Sequence, residues 1–237
     1  QPPTPATEPR LRTDAVLQTL DLRKDYGDGQ GLITPLDLVV GEGELIMLVG
    51  PNGAGKSTFL GLASGMLEPS DGWAFIGGHV AGSVPARAAL SFLPDNPVLY
   101  DDLSLSEHIE YIARLHHTQD WQEYADDLTE MFGLTGRVDD LPSRFSRGLK
   151  QKTGLILGLI RPFRLMLVDE PFVGLDAPGQ ETLVEVLGDV VEQGATVICS
   201  THQKDLIGHA TRCIGLRDGE LAYDGPATEA KVRELVG

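Results

Sequence analysis

Short apolar runs closed by glycine or proline alternate with longer segments of helical period along most of this chain. Mixed apolar and polar positions from Ala15 to Tyr26 predict a strand ending at the turn Tyr26-Gly27-Asp28-Gly29. A second strand is predicted over Leu36-Asp37-Leu38-Val39-Val40, and Gly41-Glu42-Gly43-Glu44 turns the chain into a third, Leu45-Ile46-Met47-Leu48-Val49. Phe59-Leu60-Gly61-Leu62-Ala63 reads as helix, and short strands follow over Gly72–Gly78 and Leu90-Ser91-Phe92-Leu93. From Ser104 to about Phe132 the character changes: Leu105, Ile109, Ile112 and Leu115 recur near helical spacing, and Asp120–Met131 is acidic and helix-compatible. Beyond the apolar run Gly154–Ile160, a strand at Leu165–Val168, a helix at Glu181–Gln193 and a strand at Ala195–Cys199 restore the alternation. Strand–helix–strand order predicts an α/β protein with a parallel sheet covered on both faces. Its core is expected over residues 14–94 and 151–237, with residues 95–150 as an inserted, mostly helical lobe and the proline-rich residues 1–13 as a flexible leader.

Between the third strand and the first helix lies Gly50-Pro51-Asn52-Gly53-Ala54-Gly55-Lys56-Ser57-Thr58, which has the spacing of a phosphate-binding loop. Glycines remove side chains so that successive backbone N–H groups converge on phosphate oxygens, and the following helix points its positive end at the same anion. Lys56 is expected to reach the β- and γ-phosphates, and Ser57 to offer its hydroxyl to Mg²⁺.

A second cluster follows the apolar strand Leu165–Val168, which delivers Asp169 and Glu170 at the edge where open α/β sheets bind ligands. Asp169 is expected to hold Mg²⁺ opposite Ser57, and Glu170 to orient, or take a proton from, the water attacking the γ-phosphate. Another buried strand ends in Ser200-Thr201-His202, placing His202 within reach of the same phosphate.

Charge and composition narrow the partners. The formal net charge of −16 opposes any broad hold on nucleic acid, so none is expected, while leaving a local phosphate site open. Cys199 and Cys213 lie in or near apolar runs and read as buried free thiols. The longest apolar stretch, Leu155 to Val168, is broken by Arg161, Pro162 and Arg164. Any membrane crossing is therefore expected from a separate polypeptide.

The ordered set Tyr26, Gly50–Thr58, Ser146-Arg147-Gly148-Leu149-Lys150-Gln151, Leu165–Glu170, Gly174-Leu175-Asp176 and His202 strongly resembles the nucleotide-binding domain of ABC transporters. The resemblance covers about residues 14 to 230. It implies a P-loop nucleoside triphosphate hydrolase core with a small antiparallel β subdomain and an inserted helical subdomain. It also implies ATP and Mg²⁺ as cofactors. Tyr26 would stack on adenine, and Lys56, Glu170 and His202 would serve hydrolysis. Ser146, Arg147 and Gly148 would form the signature segment that caps the γ-phosphate of an opposite, head-to-tail subunit, and Asp176 would communicate across that dimer. The implied partners are a second ATP-binding subunit, identical or different, and a transmembrane permease, with the chain peripheral at the cytoplasmic face of the membrane. The motif style looks most like bacterial exporters with separate ATPase and membrane subunits.

Two positions depart from the family pattern. Arg147 replaces the first of two adjacent signature glycines, where it could contact phosphate or ribose, or crowd the interface. Asp95 stands where a glutamine is usual; it could ligate Mg²⁺ or simply end the sheet. An ABC-type ATPase of assembly or translation control, or a slowly hydrolysing nucleotide switch, would share most of these motifs.

Overall fold

The computed structural model describes residues 11–27, 31–201, 203 and 206–236. Residues 1–10 of the expected leader and His202 lie outside the described residues. The strand before the phosphate loop, β3 (Leu45–Val49), is buried along its whole length and forms the centre of the larger sheet. On either side run parallel partners, β8 (Thr196–Ser200) and β9 (Arg212–Arg217), followed beyond β8 by β7 (Leu165–Asp169) and β6 (Leu90–Leu93). The order is β10-β9-β3-β8-β7-β6, with β10 (Glu220–Gly225) antiparallel at one edge. A second, four-stranded antiparallel sheet has the order β2-β1-β4-β5, built from β1 (Leu17–Asp25), β2 (Gly31–Val40), β4 (Asp71–Ile76) and β5 (His79–Val80). β2 extends upstream of the expected Leu36 and carries Pro35; as an edge strand it tolerates a residue that cannot donate to a ladder.

Because the strand period is two, each central strand feeds two different cores. Ile46, Leu48, Leu165, Leu167, Ile198 and Ile214 face helix α1 (Lys56–Ser64) and the antiparallel sheet. Leu45, Met47, Val49, Met166, Val168, Val197 and Cys199 face the helical side. That side comprises α3 (Leu105–Leu115), α4 (Trp121–Met131), α5 (Arg147–Leu159), α6 (Ala177–Glu192) and α7 (Glu229–Val236). Full burial of each such leucine, isoleucine, valine or methionine side chain contributes about 1.5–3 kcal/mol, so the strand ends that carry the chemistry are anchored from both faces. The short helix α2 (Val84–Ala89) leads into β6. Among the described residues, no helix is long and apolar enough to cross a membrane.

Boundaries at α5 and α6 also differ from the sequence reading. The expected division between residues 150 and 151 falls inside α5, which packs on α3 and α4 and also on β6. One helix thus belongs to both regions. α6 begins at Ala177 instead of Glu181, because Asp176 is extended (φ −72°, ψ 163°) as its N-cap and a proline follows in the first turn. Cys199 and Cys213 are buried and free, as expected, and burial raises both thiol pKa values.

Candidate phosphate and hydrolysis site

At the end of β3 the chain must turn sharply beside β9, and Gly50 is where it does so. Its φ is 151°, and a Cβ there would stand 2.1 Å from the Leu216 carbonyl oxygen. Only glycine allows the loop to pass the neighbouring strand this closely. The loop closes at Gly55, the N-cap of α1, with no side chain covering the free N–H groups of the first turn. Those groups and the helix dipole form an anion-binding end. Lys56 folds back over the loop and is 7% exposed. Its Nζ donates to the Gly50 oxygen at 2.7 Å and to the Pro51 oxygen at 3.4 Å.

The carboxylates arrive from β7, one strand beyond β8. Asp169 is buried, and its Oδ1 accepts a 2.5 Å hydrogen bond from the Ser200 hydroxyl at the end of β8. The Glu170 N–H donates to the Ser200 carbonyl at 3.0 Å and to its Oγ at 3.1 Å. Ser200 therefore joins both acids, a role that the sequence reading did not assign; its signal was a polar residue closing an apolar, buried strand. Glu170 itself has φ 45°, a left-handed conformation that costs a non-glycine residue and is common where function fixes a side chain. Its Oε1 lies 3.8 Å from Lys56 Nζ, so the loop and the acids, far apart in the chain, meet at one point. The Glu170 pKa is raised, chiefly by burial; Lys56 opposes this, and Asp169 and Asp95 add to it.

A cavity of about 250 Å³ opens over this junction, lined by Tyr26, Asn52–Thr58 and Glu170. Tyr26 is half exposed on its wall, with Lys24 Nζ 5.5 Å from its ring centre. Gly50 and Pro51 lie beneath, as the acceptors that hold Lys56. The donors available to a cation are hard oxygens: the exposed Ser57 hydroxyl and the Asp169 carboxylate oriented by Ser200. That set fits Mg²⁺, which keeps waters and takes further oxygens from phosphates. Among the described residues, no group of three or more His, Cys, Asp or Glu forms a dedicated metal cage.

Ser146, Arg147, Gly148 and Asp176 are not among the residues lining this cavity. Ser146 is the N-cap of α5, its Oγ accepting from the Leu149 N–H at 3.3 Å. Gly148 is required by close approach, since a Cβ would meet the Gly174 carbonyl oxygen at 2.3 Å. The start of α5 is thereby pressed onto the turn that leads to Asp176. Asp176 Oδ1 pairs with Lys152 Nζ at 2.8 Å, and this partner lowers its pKa. The two departures from the family pattern meet each other: Arg147 Nη2 donates to Asp95 Oδ1 at 2.9 Å. The other Asp95 oxygen accepts from the Asn96 amide at 2.9 Å.

Comparison with known proteins agrees with this geometry. A family model described as ABC transporter matches residues 33–173. The SkfA peptide export ATP-binding protein SkfE of Bacillus subtilis (strain 168) is 34% identical over 212 residues, 88% of each chain. The ABC-type transporter ATP-binding protein EcsA of the same organism is 32% identical over 202 residues, covering 82% of this chain and 80% of its own. A solved ATP-binding subunit of an ABC transporter superposes with a TM-score of 0.83 at 28% identity over 92% of each chain. A dimeric ATP-binding cassette in a post-hydrolysis state with ADP and Pi shares the fold, with a TM-score of 0.79 at 21% identity over 90% of this chain and 99% of its own.

Proposed function

This chain belongs to the ABC transporter family as an ATP-binding, ATP-hydrolysing domain, and on that premise we propose that two copies close head to tail on Mg-ATP and drive a separate transmembrane permease. The observation that carries the reading is the junction of Lys56 with Glu170, next to Asp169, under a cavity walled by Tyr26. The adenine stacks on Tyr26, and the N–H groups from Asn52 to Thr58 receive the phosphates. Lys56 exchanges its loop carbonyls for phosphate oxygens. Ser57 and Asp169 would hold Mg²⁺ brought with the nucleotide, and the ion would supply neutralisation of phosphate charge. Glu170 orients the attacking water and takes its proton; His202, outside the described residues, is assigned the γ-phosphate by sequence position alone. Ser146 and Gly148 present the start of α5 to the γ-phosphate of the facing copy, with Asp176 at the seam.

The permease is proposed to seat on the 95–103 loop and the helical lobe. Val98 is 95% exposed and Tyr100 55% exposed, beside a recess of about 200 Å³ bounded by Pro97, Leu99 and Ile112. That loop is held from below: buried His108 accepts from the Tyr100 N–H at 2.9 Å through Nε2, and its Nδ1 is 2.8 Å from the Ser104 oxygen. An exposed valine and tyrosine presented on a rigid support suit a partner segment. Similarity to a relative named for peptide export supports outward transport, with the chain at the cytoplasmic face of the membrane.

The test is equilibrium binding and steady-state hydrolysis of Mg-ATP by the purified chain. Lys56→Ala is expected to weaken ATP binding about 10- to 100-fold, the value of a charge-assisted hydrogen bond to phosphate. Equal affinity in the variant, or no Mg-ATP binding by the unaltered chain, overturns the reading.

A further inference from the structure

Two ion pairs leave the first turns of α5 toward two different loops. Arg147, its first residue, reaches Asp95 at the head of the 95–103 loop; Lys152 reaches Asp176 at the N-cap of α6. With Gly148 pressed against the Gly174 carbonyl, the α5 start cannot shift without moving the Asp176 turn. The Arg147 and Asp95 side chains remain 55% and 38% exposed, so their pair adds little to folding stability. What it fixes is direction. A free arginine at a helix N-terminus samples many rotamers, whereas one gripped by a carboxylate presents its planar fork from a single place. Both Asp95 oxygens already have donors, Arg147 and Asn96, which argues against a carboxylate kept for a metal ion.

Resting on the proposed reading that Ser146 and Gly148 face a second copy's phosphates, we propose that Asp95 is a positioning residue for Arg147 and not a ligand of the divalent ion. It holds the guanidinium at the first turn of α5, where Arg147 adds a charge-assisted contact to the phosphates of the nucleotide bound by the facing copy. The loop proposed to meet the permease is thereby tied to the nucleotide of the opposite subunit through a side-chain bridge. Displacement of that loop then withdraws or delivers one positive charge at the closed interface.

A double-mutant cycle tests this. Asp95→Asn, Arg147→Gln and the double variant are compared with the unaltered chain for ATP-dependent dimerisation, measured by light scattering in the Glu170→Gln background. KM for Mg²⁺ is measured in the hydrolysing background, with melting temperature as the check on folding. Each single variant is expected to weaken ATP-dependent dimerisation about 5- to 20-fold at unchanged melting temperature, and the double variant to be no weaker than Arg147→Gln. KM for Mg²⁺ is expected to stay within about twofold, and Arg147→Lys to recover only part of the loss. Additive losses, unchanged dimerisation, or a KM for Mg²⁺ raised about tenfold by Asp95→Asn alone would overturn the inference. Failure of the unaltered chain to bind Mg-ATP would instead remove the proposed function beneath it.

Discussion

Replacing Glu170 by Gln is expected to lower kcat by about 10²–10⁴-fold while leaving ATP affinity within a few-fold, the signature of losing a general base. The amide keeps the shape of the side chain and its place at φ 45°, but cannot take a proton from water. Its neutrality also removes a negative charge from beside the triphosphate, so the nucleotide-bound dimer accumulates. The pH profile supplies a second readout. Burial raises the Glu170 pKa above the ordinary 4.5, outweighing the opposing effect of Lys56. A base must be deprotonated to act, so activity rises with pH through a limb displaced upward from the usual glutamate range. Residual turnover in a Lys56 variant should show that limb moved further up, because the positive charge of Lys56, which lowers the Glu170 pKa, has gone. Single-turnover hydrolysis across pH, with nucleotide binding measured in parallel, checks both. Undiminished turnover in Glu170→Gln would take the residue out of the chemistry.

Gly50→Ala carries the largest expected effect on the fold. The added methyl would stand 2.1 Å from the Leu216 carbonyl oxygen and 3.0 Å from the Ala54 Cβ. Neither obstacle is the yielding tip of a long side chain. β9 is hydrogen-bonded to β3 through Leu48 and Val49, so relief requires the two strands to part or the loop to lift. The φ of 151° adds backbone strain for any L side chain. A loss on the order of 3 kcal/mol or more is expected, lowering the melting temperature by roughly 6–12 °C in a chain of this size. ATP affinity falls as well, because lifting the loop displaces the backbone N–H groups and the Lys56 side chain, which donates to the Gly50 carbonyl at 2.7 Å, from the place where they meet phosphate. Thermal unfolding with and without Mg-ATP separates the two consequences: ligand stabilisation should shrink in addition to the baseline loss.

The parts that could be read from the sequence share one property: their signal is local. β3, its loop and α1 were visible because a continuous apolar run, a fixed glycine spacing and a lysine are contiguous. β6 was recovered at Leu90–Leu93 because Pro94 closes it. The meeting of Lys56 with Glu170 followed from topology, since parallel strands place their C-terminal ends along one edge. Other features needed the folded chain. Gly154 and Gly158 interrupt the apolar period of α5, and a helix shared between lobe and core has no single buried face to announce its limits. Ser200 looked like one polar residue in a triplet; only the β7–β8 register, Asp169 opposite Ser200, shows that it bridges the acids. Arg147 and Asp95 each appeared as an isolated departure from a pattern. They lie 52 positions apart, and neither residue type predicts the pairing.

The central claim, that one ATP with its divalent ion binds between the glycine-rich loop and the paired acids, is tested most directly by a crystal structure of the Glu170→Gln chain with ATP and Mg²⁺. The expected result is a triphosphate with Lys56 Nζ on its β- and γ-oxygens, Ser57 and Asp169 toward the ion, and Ser146 of a second copy capping the γ-phosphate. A nucleotide bound elsewhere, with Lys56 still donating to Gly50 and Pro51 and no phosphate beside Asp169, would contradict the account.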